Sequence, residues 1–157
     1  SVTARIAHLA DVLSAEARQA VLDREASHLA WKEIADASAF VGGEGQIWKL
    51  SVPPMMGAAV GRRLADELSG RCFYDWGGGA VWLEAPAAAD AHAGRVREVL
   101  AQVAGGEAHA TLMRADADVR AQVAPFQPLA PGVAALTERV RAQFDPQRIF
   151  NPGRMYA

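Results

Sequence analysis

Apolar and polar residues alternate along residues 47–52, with the two-residue period of a strand that buries one face. The alternation places Lys49 and Ser51 together on the face opposite Trp48. Two prolines at 53–54 end this strand, and proline suits the first turn of a following helix. The pattern therefore predicts a strand that leads directly into a helix.

The next segments predict that helix and a hairpin. Apolar residues recur at four-residue steps as far as Leu68, which predicts a helix that Gly70 closes. Residues 71–76 and 80–85 have the composition of two strands. The three glycines at 77–79 join them, because glycine adopts positive backbone angles at little cost.

A second helix and a last strand complete the pattern. Asp90 or a neighbour begins the helix, and the glycines at 105–106 stop it before a strand over residues 108–113. Its buried stripe consists of Val96, Val99, Leu100 and Val103. The order is then strand, helix, strand, strand, helix, strand, which is the split βαβ arrangement. We therefore predict an α+β fold, a ferredoxin-like antiparallel sheet with helices on one face.

The flanking residues predict helices on both sides of this sheet. Apolar spacing over residues 1–13 and 24–37 predicts two N-terminal helices, whereas residues 16–23 fit a strand or a helix equally well. Three prolines within 114–131 predict an extended connector. One last helix then carries an apolar stripe, and Asp145-Pro146 ends it. Its stripe consists of Val133, Leu136, Val140 and Phe144.

Composition narrows the class of protein. A hydrophobic content of 51% in 157 residues is enough for one sizeable core. The net charge of -2, from 16 basic and 18 acidic residues, gives no broad positive field, so we expect no nucleic-acid partner. The chain has no run of roughly 18 apolar residues and no secretion signal over residues 1–13, so we expect no transmembrane segment and a cytoplasmic location.

A metal site is not expected. Cys72 is the only cysteine, and a single thiol cannot by itself ligate structural zinc or an iron–sulfur cluster. Its place in a predicted strand favours a buried, inert thiol. The four histidines stand far apart, without the spacing of a metal site.

Three segments resemble a known family. Residues 144–154, FDPQRIFNPGR, resemble the FDP-x-x-IFNPG-(R/K) ending of FAD-linked oxidases of the vanillyl-alcohol-oxidase type. Residues 48–54, WKLSVPP, and residues 75–83, DWGGGAVWL, resemble two elements of the FAD-binding E subunits of bacterial glycolate oxidases. The segments occur in the family's order, so the resemblance extends over essentially the whole chain.

This resemblance implies a cofactor, a reaction and partners. It implies that the chain is the C-terminal cap portion of an FAD-dependent subunit that takes part in the oxidation of glycolate, a small 2-hydroxy acid, to glyoxylate. FAD would be bound mainly by a domain upstream of Ser1. The expected divisions are 1–45, a helical part of the cap; 46–114, the ferredoxin-like cap; and 115–157, a connector, the last helix and a tail that faces the flavin.

The implied partners are a catalytic flavoprotein subunit and an iron–sulfur subunit. The expected location is the cytoplasm, either free or attached through these partners to the inner face of the plasma membrane. The histidine-rich element of the catalytic subunits is not present here, which argues against oxidation of glycolate by this subunit itself and for a role in relaying electrons or completing the assembly. The alternative is a non-catalytic ferredoxin-like module that binds a small ligand or another subunit.

The tail supplies the candidate cofactor-binding residues. Pro152 after Asn151 predicts an extended backbone and a turn that presents the Asn151 amide to the edge of the flavin ring. Arg154 is a fixed cation that would favour an anionic reduced flavin or bind a carboxylate. The competing interpretation is a helix stop followed by a surface tail.

The sheet supplies the candidate substrate-binding residues. Lys49 and Ser51 would present a cation and a hydroxyl together to a carboxylate, although ordinary solvent-facing alternation explains them equally well. Asp75 would orient a neighbour, accept a proton or only stabilise the glycine turn. Trp76 and Trp82 would line a cavity or pack across strands, and packing is favoured for Trp82.

Overall fold

The computed structural model describes residues 1–15 and 20–152, and it divides the chain into two compact units, Ser1–Val41 and Gly42–Ala157. The N-terminal unit contains α1 (Val2–Val12) and α2 (Arg24–Ala35). Side chains cap both helices, since Ser1 accepts from the Ala4 N–H and Asp23 from the Ala26 N–H. Both predicted helices are confirmed. The ambiguous segment falls partly outside the described residues, and its described part is neither helix nor strand.

The sheet unit is built on four antiparallel strands in the order β2-β3-β1-β4. In chain order, the strands are β1 (Gln46–Ser51), β2 (Arg71–Asp75), β3 (Ala80–Ala85) and β4 (His109–Arg114). The helices α3 (Gly57–Leu68) and α4 (Ala93–Ala104) connect them as the split βαβ arrangement requires. The predicted α+β fold is confirmed.

Both helices of this arrangement pack on one face of the sheet. Trp48 and Leu50 of β1 are fully buried there against Val60 and Leu64 of α3 and against α4. The Trp48 indole N–H donates to the Ala91 carbonyl at 2.9 Å, so the buried ring leaves no polar atom unpaired. Burial of an aromatic ring and several aliphatic side chains between the sheet and the two helices stabilises their packing.

The ends of α3 differ from the sequence prediction. Residues Pro54–Met56 form a 3-10 turn before the helix, and Ser69, with φ 52°, is the left-handed residue that ends it. Gly70 was predicted to close the helix, but it is required for a different reason. A Cβ at Gly70 would lie 2.6 Å from the Glu84 carbonyl oxygen of β3, so glycine permits the backbones to approach.

The connector was predicted to be extended, and this is wrong for its first part. Residues Ala117–Gln122 form a short helix, α5, and the adjacent Val123 is buried against the core. Beyond it the chain runs along the outer edge of β4, where the Leu112 N–H donates to the Pro125 carbonyl at 2.7 Å. Burial of one valine favours the helical turn over the extended form that the later prolines suggest.

The last helix, α6 (Pro131–Phe144), was predicted correctly, but its stripe is not buried. Val133, Leu136 and Val140 are about half exposed, and Phe144 is largely exposed. Asp145 ends the helix and accepts hydrogen bonds from the N–H groups of Ile149 and Phe150, at 2.9 and 2.8 Å. No helix of the described residues is long and apolar enough to cross a membrane.

Candidate functional site

The face of the sheet opposite the helices carries all three predicted substrate-binding residues. Lys49 of β1 is paired with Trp82 of β3 and with Thr111 of β4. Ser51 lies two residues further along β1, about 7 Å away, on the same face. We call this surface the open face; it comprises Lys49, Ser51, Phe73, Asp75, Trp82, His109 and Thr111, together with Trp76 at its border.

Two tryptophan rings hold the Lys49 ammonium on the open face. Its Nζ lies 5.0 Å from the centre of the Trp76 ring and 5.2 Å from that of Trp82, within the range of a cation–π contact. Among the described residues Lys49 forms no ion pair with a carboxylate. The rings therefore position a positive charge that remains available to an anion.

The glycine turn fixes the position of Trp76. Trp76 has φ 54° and Gly78 has φ 96°, and this turn lies directly on the Pro54–Met56 segment. A Cβ on Gly57 would be 2.0 Å from the Gly78 carbonyl oxygen, and a Cβ on Gly78 would be 2.6 Å from that of Pro54. Backbone packs on backbone here, so the WKLSVPP and DWGGGAVWL segments form one rigid piece of structure.

Asp75 stabilises this same turn. Its Oδ1 accepts a hydrogen bond from the Trp76 N–H at 2.7 Å. Asp75 and Ser51 are both paired with Ala80, from opposite sides, so their backbones lie roughly 10 Å apart across the sheet. The geometry brings Asp75 to the open face, where its hydrogen bond is to the backbone of the turn.

One end of the open face is bordered by ion pairs. Glu84 of β3 accepts from Arg71 Nε at 2.5 Å and from Arg114 Nη2 at 2.9 Å, and Arg114 Nε also donates to the Gly45 carbonyl. The single Glu84 carboxylate pairs with both guanidinium groups, whereas Lys49 has no carboxylate partner among the described residues.

Cys72 lies on the helix face of β2, where a half-buried thiol donates to the Gly61 carbonyl at 3.3 Å. Burial raises the pKa of this thiol to about 11, so it stays protonated near neutral pH. The structure agrees with the predicted inert thiol.

The tail residues are placed only in part. Asn151 is exposed and has φ 46°, so the extended backbone predicted for it is wrong. Asparagine tolerates the left-handed region better than most residues, which explains its place before Pro152 in this turn. Arg154 lies outside the described residues. The structure does not bring Asn151 together with Lys49, Ser51 or Asp75 through any contact between described residues.

Trp82 and Thr111 show what the sequence could not predict. Trp82 was assigned to packing, and it does pack across the strands, but on the open face beside Lys49. Thr111 was not predicted, although it lies directly opposite Lys49. Only the strand register reveals this pairing. Among the described residues, no group of three or more His, Cys, Asp or Glu side chains could hold a metal ion.

Comparison with known proteins identifies a similar oxidase subunit. Glycolate oxidase subunit GlcE of Escherichia coli (strain K12) is 31% identical to this chain over 145 residues. The match covers 90% of this chain and 35% of GlcE, so the chain spans about a third of that relative's length. The resemblance predicted from the three segments is therefore confirmed. No protein-family model and no solved structure matches the chain.

Proposed function

We propose that this chain is the cap portion of an FAD-dependent oxidoreductase subunit that takes part in the oxidation of glycolate to glyoxylate. The observation that carries the proposal is Lys49, whose ammonium is held on the open face by two rings and has no carboxylate partner among the described residues. Similarity to a glycolate oxidase subunit supports the choice of substrate.

The residues of the open face suit a small 2-hydroxy acid. The Lys49 ammonium would bind the carboxylate through charge-assisted hydrogen bonds. The Ser51 hydroxyl, about 7 Å further along the strand, would hydrogen-bond the substrate hydroxyl. Trp76 and Trp82 would exclude water from the reacting carbon. Asp75 acts through Trp76, by fixing the turn that carries it.

The described residues also fit the ring end of FAD. The open face offers a flat surface with aromatic rings, and the exposed Asn151 amide can both donate to and accept from the edge of a pyrimidine ring. When bound, FAD would accept the hydride from the hydroxyl-bearing carbon of the substrate. Asn151 and Arg154 would hold the ring edge, and Lys49 would orient the substrate beside it. The relative is a subunit by name, so we include a catalytic flavoprotein subunit and an iron–sulfur subunit as partners.

Trp76→Ala in the whole subunit tests the proposal. Loss of one cation–π contact, worth about 0.5–2 kcal/mol, should raise the KM for glycolate about threefold to thirtyfold and change kcat less. The control is Trp31→Ala, because Trp31 in α2 is 63% exposed, close to the 67% of Trp76, and should leave KM unchanged. Equal KM values for Trp76→Ala and wild type, in steady-state assays of glycolate oxidation, would show that the Trp76 ring does not position a substrate-binding charge, and no glycolate oxidation by the wild-type subunit with its partners would favour the non-catalytic binding module.

The tail gives a second prediction. Asn151→Gly removes the amide but keeps the left-handed backbone, and Arg154→Ala removes the cation, so both variants should melt within about 1 °C of wild type. Loss of a hydrogen bond to a charged reduced flavin, worth on the order of 1–3 kcal/mol, should weaken FAD retention or lower the reduction potential. Flavin content and a redox titration measure this. If both variants show the flavin content and reduction potential of wild type, the tail only ends the last helix and does not bind the flavin.

A further inference from the structure

The row of the open face that contains Ser51 also contains His109. The two residues are paired across β1 and β4, so their side chains project from the same face and their Cα atoms lie about 4.5–5.5 Å apart. Lys49, two residues along β1, is the diagonal neighbour of His109, at about 7–8 Å. The cation and the hydroxyl assigned to the substrate therefore have an imidazole beside them.

The fold fixes His109 on this face. Its neighbours in the chain, Ala108 and Ala110, are 6% and 0% exposed and belong to the core, whereas His109 is exposed. A shift of β4 by one residue would move the imidazole into the core, so burial of the two alanines holds the register. The imidazole is thus accessible to a ligand and held at one position on the sheet.

His109 is the residue of the open face that is suited to accept a proton. Of the other titratable residues there, Lys49 supplies the positive charge, and Asp75 lies two strands away from Ser51 with its Oδ1 already bonded to the glycine turn. At the border, Glu84 pairs with two arginines. His109 forms no ion pair within the described residues, and a histidine usually changes its charge between about pH 5 and 8.

Few other charged groups surround His109. Lys49 is its diagonal neighbour on the open face, Arg97 of α4 borders one cavity with it, and Glu107 lies two residues before it. Residues 121–130 of the connector carry no titratable side chain. Lysine, arginine and glutamate keep their charge near neutral pH, so a change of activity in that range is assigned to the imidazole.

We propose that His109 is a catalytic base of the open face and that its Nε2 accepts the hydroxyl proton of a 2-hydroxy acid. This inference rests on the proposed function. The substrate O–H bond breaks, the proton bonds to Nε2, and the electron pair of that bond forms the second bond of the new C=O group. The hydrogen on the same carbon leaves with its electron pair to FAD, the oxidant of the proposed reaction. Because the imidazole is exposed, it then passes the proton to water.

His109→Gln in the whole subunit, assayed with its partner subunits, tests the proposal. Glutamine is polar but cannot take up a proton near neutral pH, so kcat for glycolate should fall about a hundredfold and KM should change less. In wild type, kcat/KM should rise with pH as the imidazole loses its proton, and the variant should lack this rise. The control is His28→Gln, because His28 is an exposed histidine in α2 and should leave kcat, KM and the pH profile unchanged.

Binding of inert analogues gives a readout that does not depend on turnover. 2-Hydroxy-2-methylpropanoate has no hydrogen on its hydroxyl-bearing carbon and cannot be oxidised, and 2-methylpropanoate also lacks the hydroxyl. In calorimetric titrations of the wild-type subunit at about pH 8, the hydroxy acid should bind about tenfold more tightly. His109→Leu leaves no acceptor at this position, so the ratio of the two Kd values should fall at least about threefold. Both His109 variants change an exposed side chain and should melt within about 2 °C of wild type.

The outcomes separate this inference from the proposed function. If wild type with its partners neither oxidises glycolate nor binds either analogue, the proposed function fails and the inference fails with it. If wild type oxidises glycolate and His109→Gln keeps the wild-type kcat and pH profile, His109 is not the base although the proposed function stands. If His109→Gln raises KM alone, the imidazole only binds the carboxylate as a second cation, which also overturns the proposal.

Discussion

Lys49→Met in the whole subunit is expected to lower kcat/KM for glycolate about a hundredfold. Methionine keeps the length and the apolar contact with Trp76 and Trp82 but removes the charge. A hydrogen bond between charged partners contributes about 1.5–3 kcal/mol, which corresponds to a loss of roughly ten to 150-fold in kcat/KM. Steady-state assays over a range of glycolate concentrations measure the effect.

Two variants control for this result. Lys32→Met removes the only other lysine, whose exposed ion pair with Asp36 lies in α2, and it should leave kcat/KM within about twofold. Lys49→Arg keeps the charge and the ring contacts, so it should restore part of the activity. If Lys49→Met retains wild-type kcat/KM while its melting temperature is unchanged, Lys49 does not bind substrate.

Gly57→Ala is expected to destabilise the protein by about 3 kcal/mol, the largest stability effect that we predict. The added Cβ would meet the Gly78 carbonyl oxygen at 2.0 Å. That oxygen cannot move easily, because the Val52 N–H donates to the neighbouring Gly79 carbonyl and the Gly79 N–H donates to Trp76. Urea denaturation, followed by tryptophan fluorescence, measures the loss.

The same substitution elsewhere provides the control. A Cβ at Gly94, in the first turn of α4, would meet nothing within 4 Å. Gly94→Ala should therefore be neutral or stabilise the protein by up to about 1 kcal/mol, since alanine favours helix. Because the Gly78 turn carries Trp76, Gly57→Ala should also raise the KM for glycolate. Equal stability of the Gly57→Ala and Gly94→Ala variants would contradict the close packing of the two segments.

The sheet could be predicted from the sequence because its pattern is strong. Alternation over residues 47–52 and the three glycines at 77–79 predicted β1 and the β2–β3 connection correctly. These features depend on local chain chemistry, which the sequence contains. The apolar stripe of α6 was equally visible, yet it is half exposed, because periodicity predicts a helix but not what covers it.

Details that depend on distant segments could not be predicted. The position of Lys49 between Trp76 and Trp82 requires the register of β1 against β3 and the left-handed Trp76, and neither is visible in a single sequence.

The covered edge of β4 also affects how the chain behaves at high concentration. An exposed strand edge is a template on which a second molecule can add a strand and begin amyloid-like growth. On β4 the Pro125 carbonyl already occupies the Leu112 N–H, and prolines at 125 and 128 obstruct further pairing. The other outer strand, β2, is only five residues long, and it begins and ends with a charged residue, Arg71 and Asp75. Both edges of the sheet therefore resist self-association of misaligned copies during synthesis and storage.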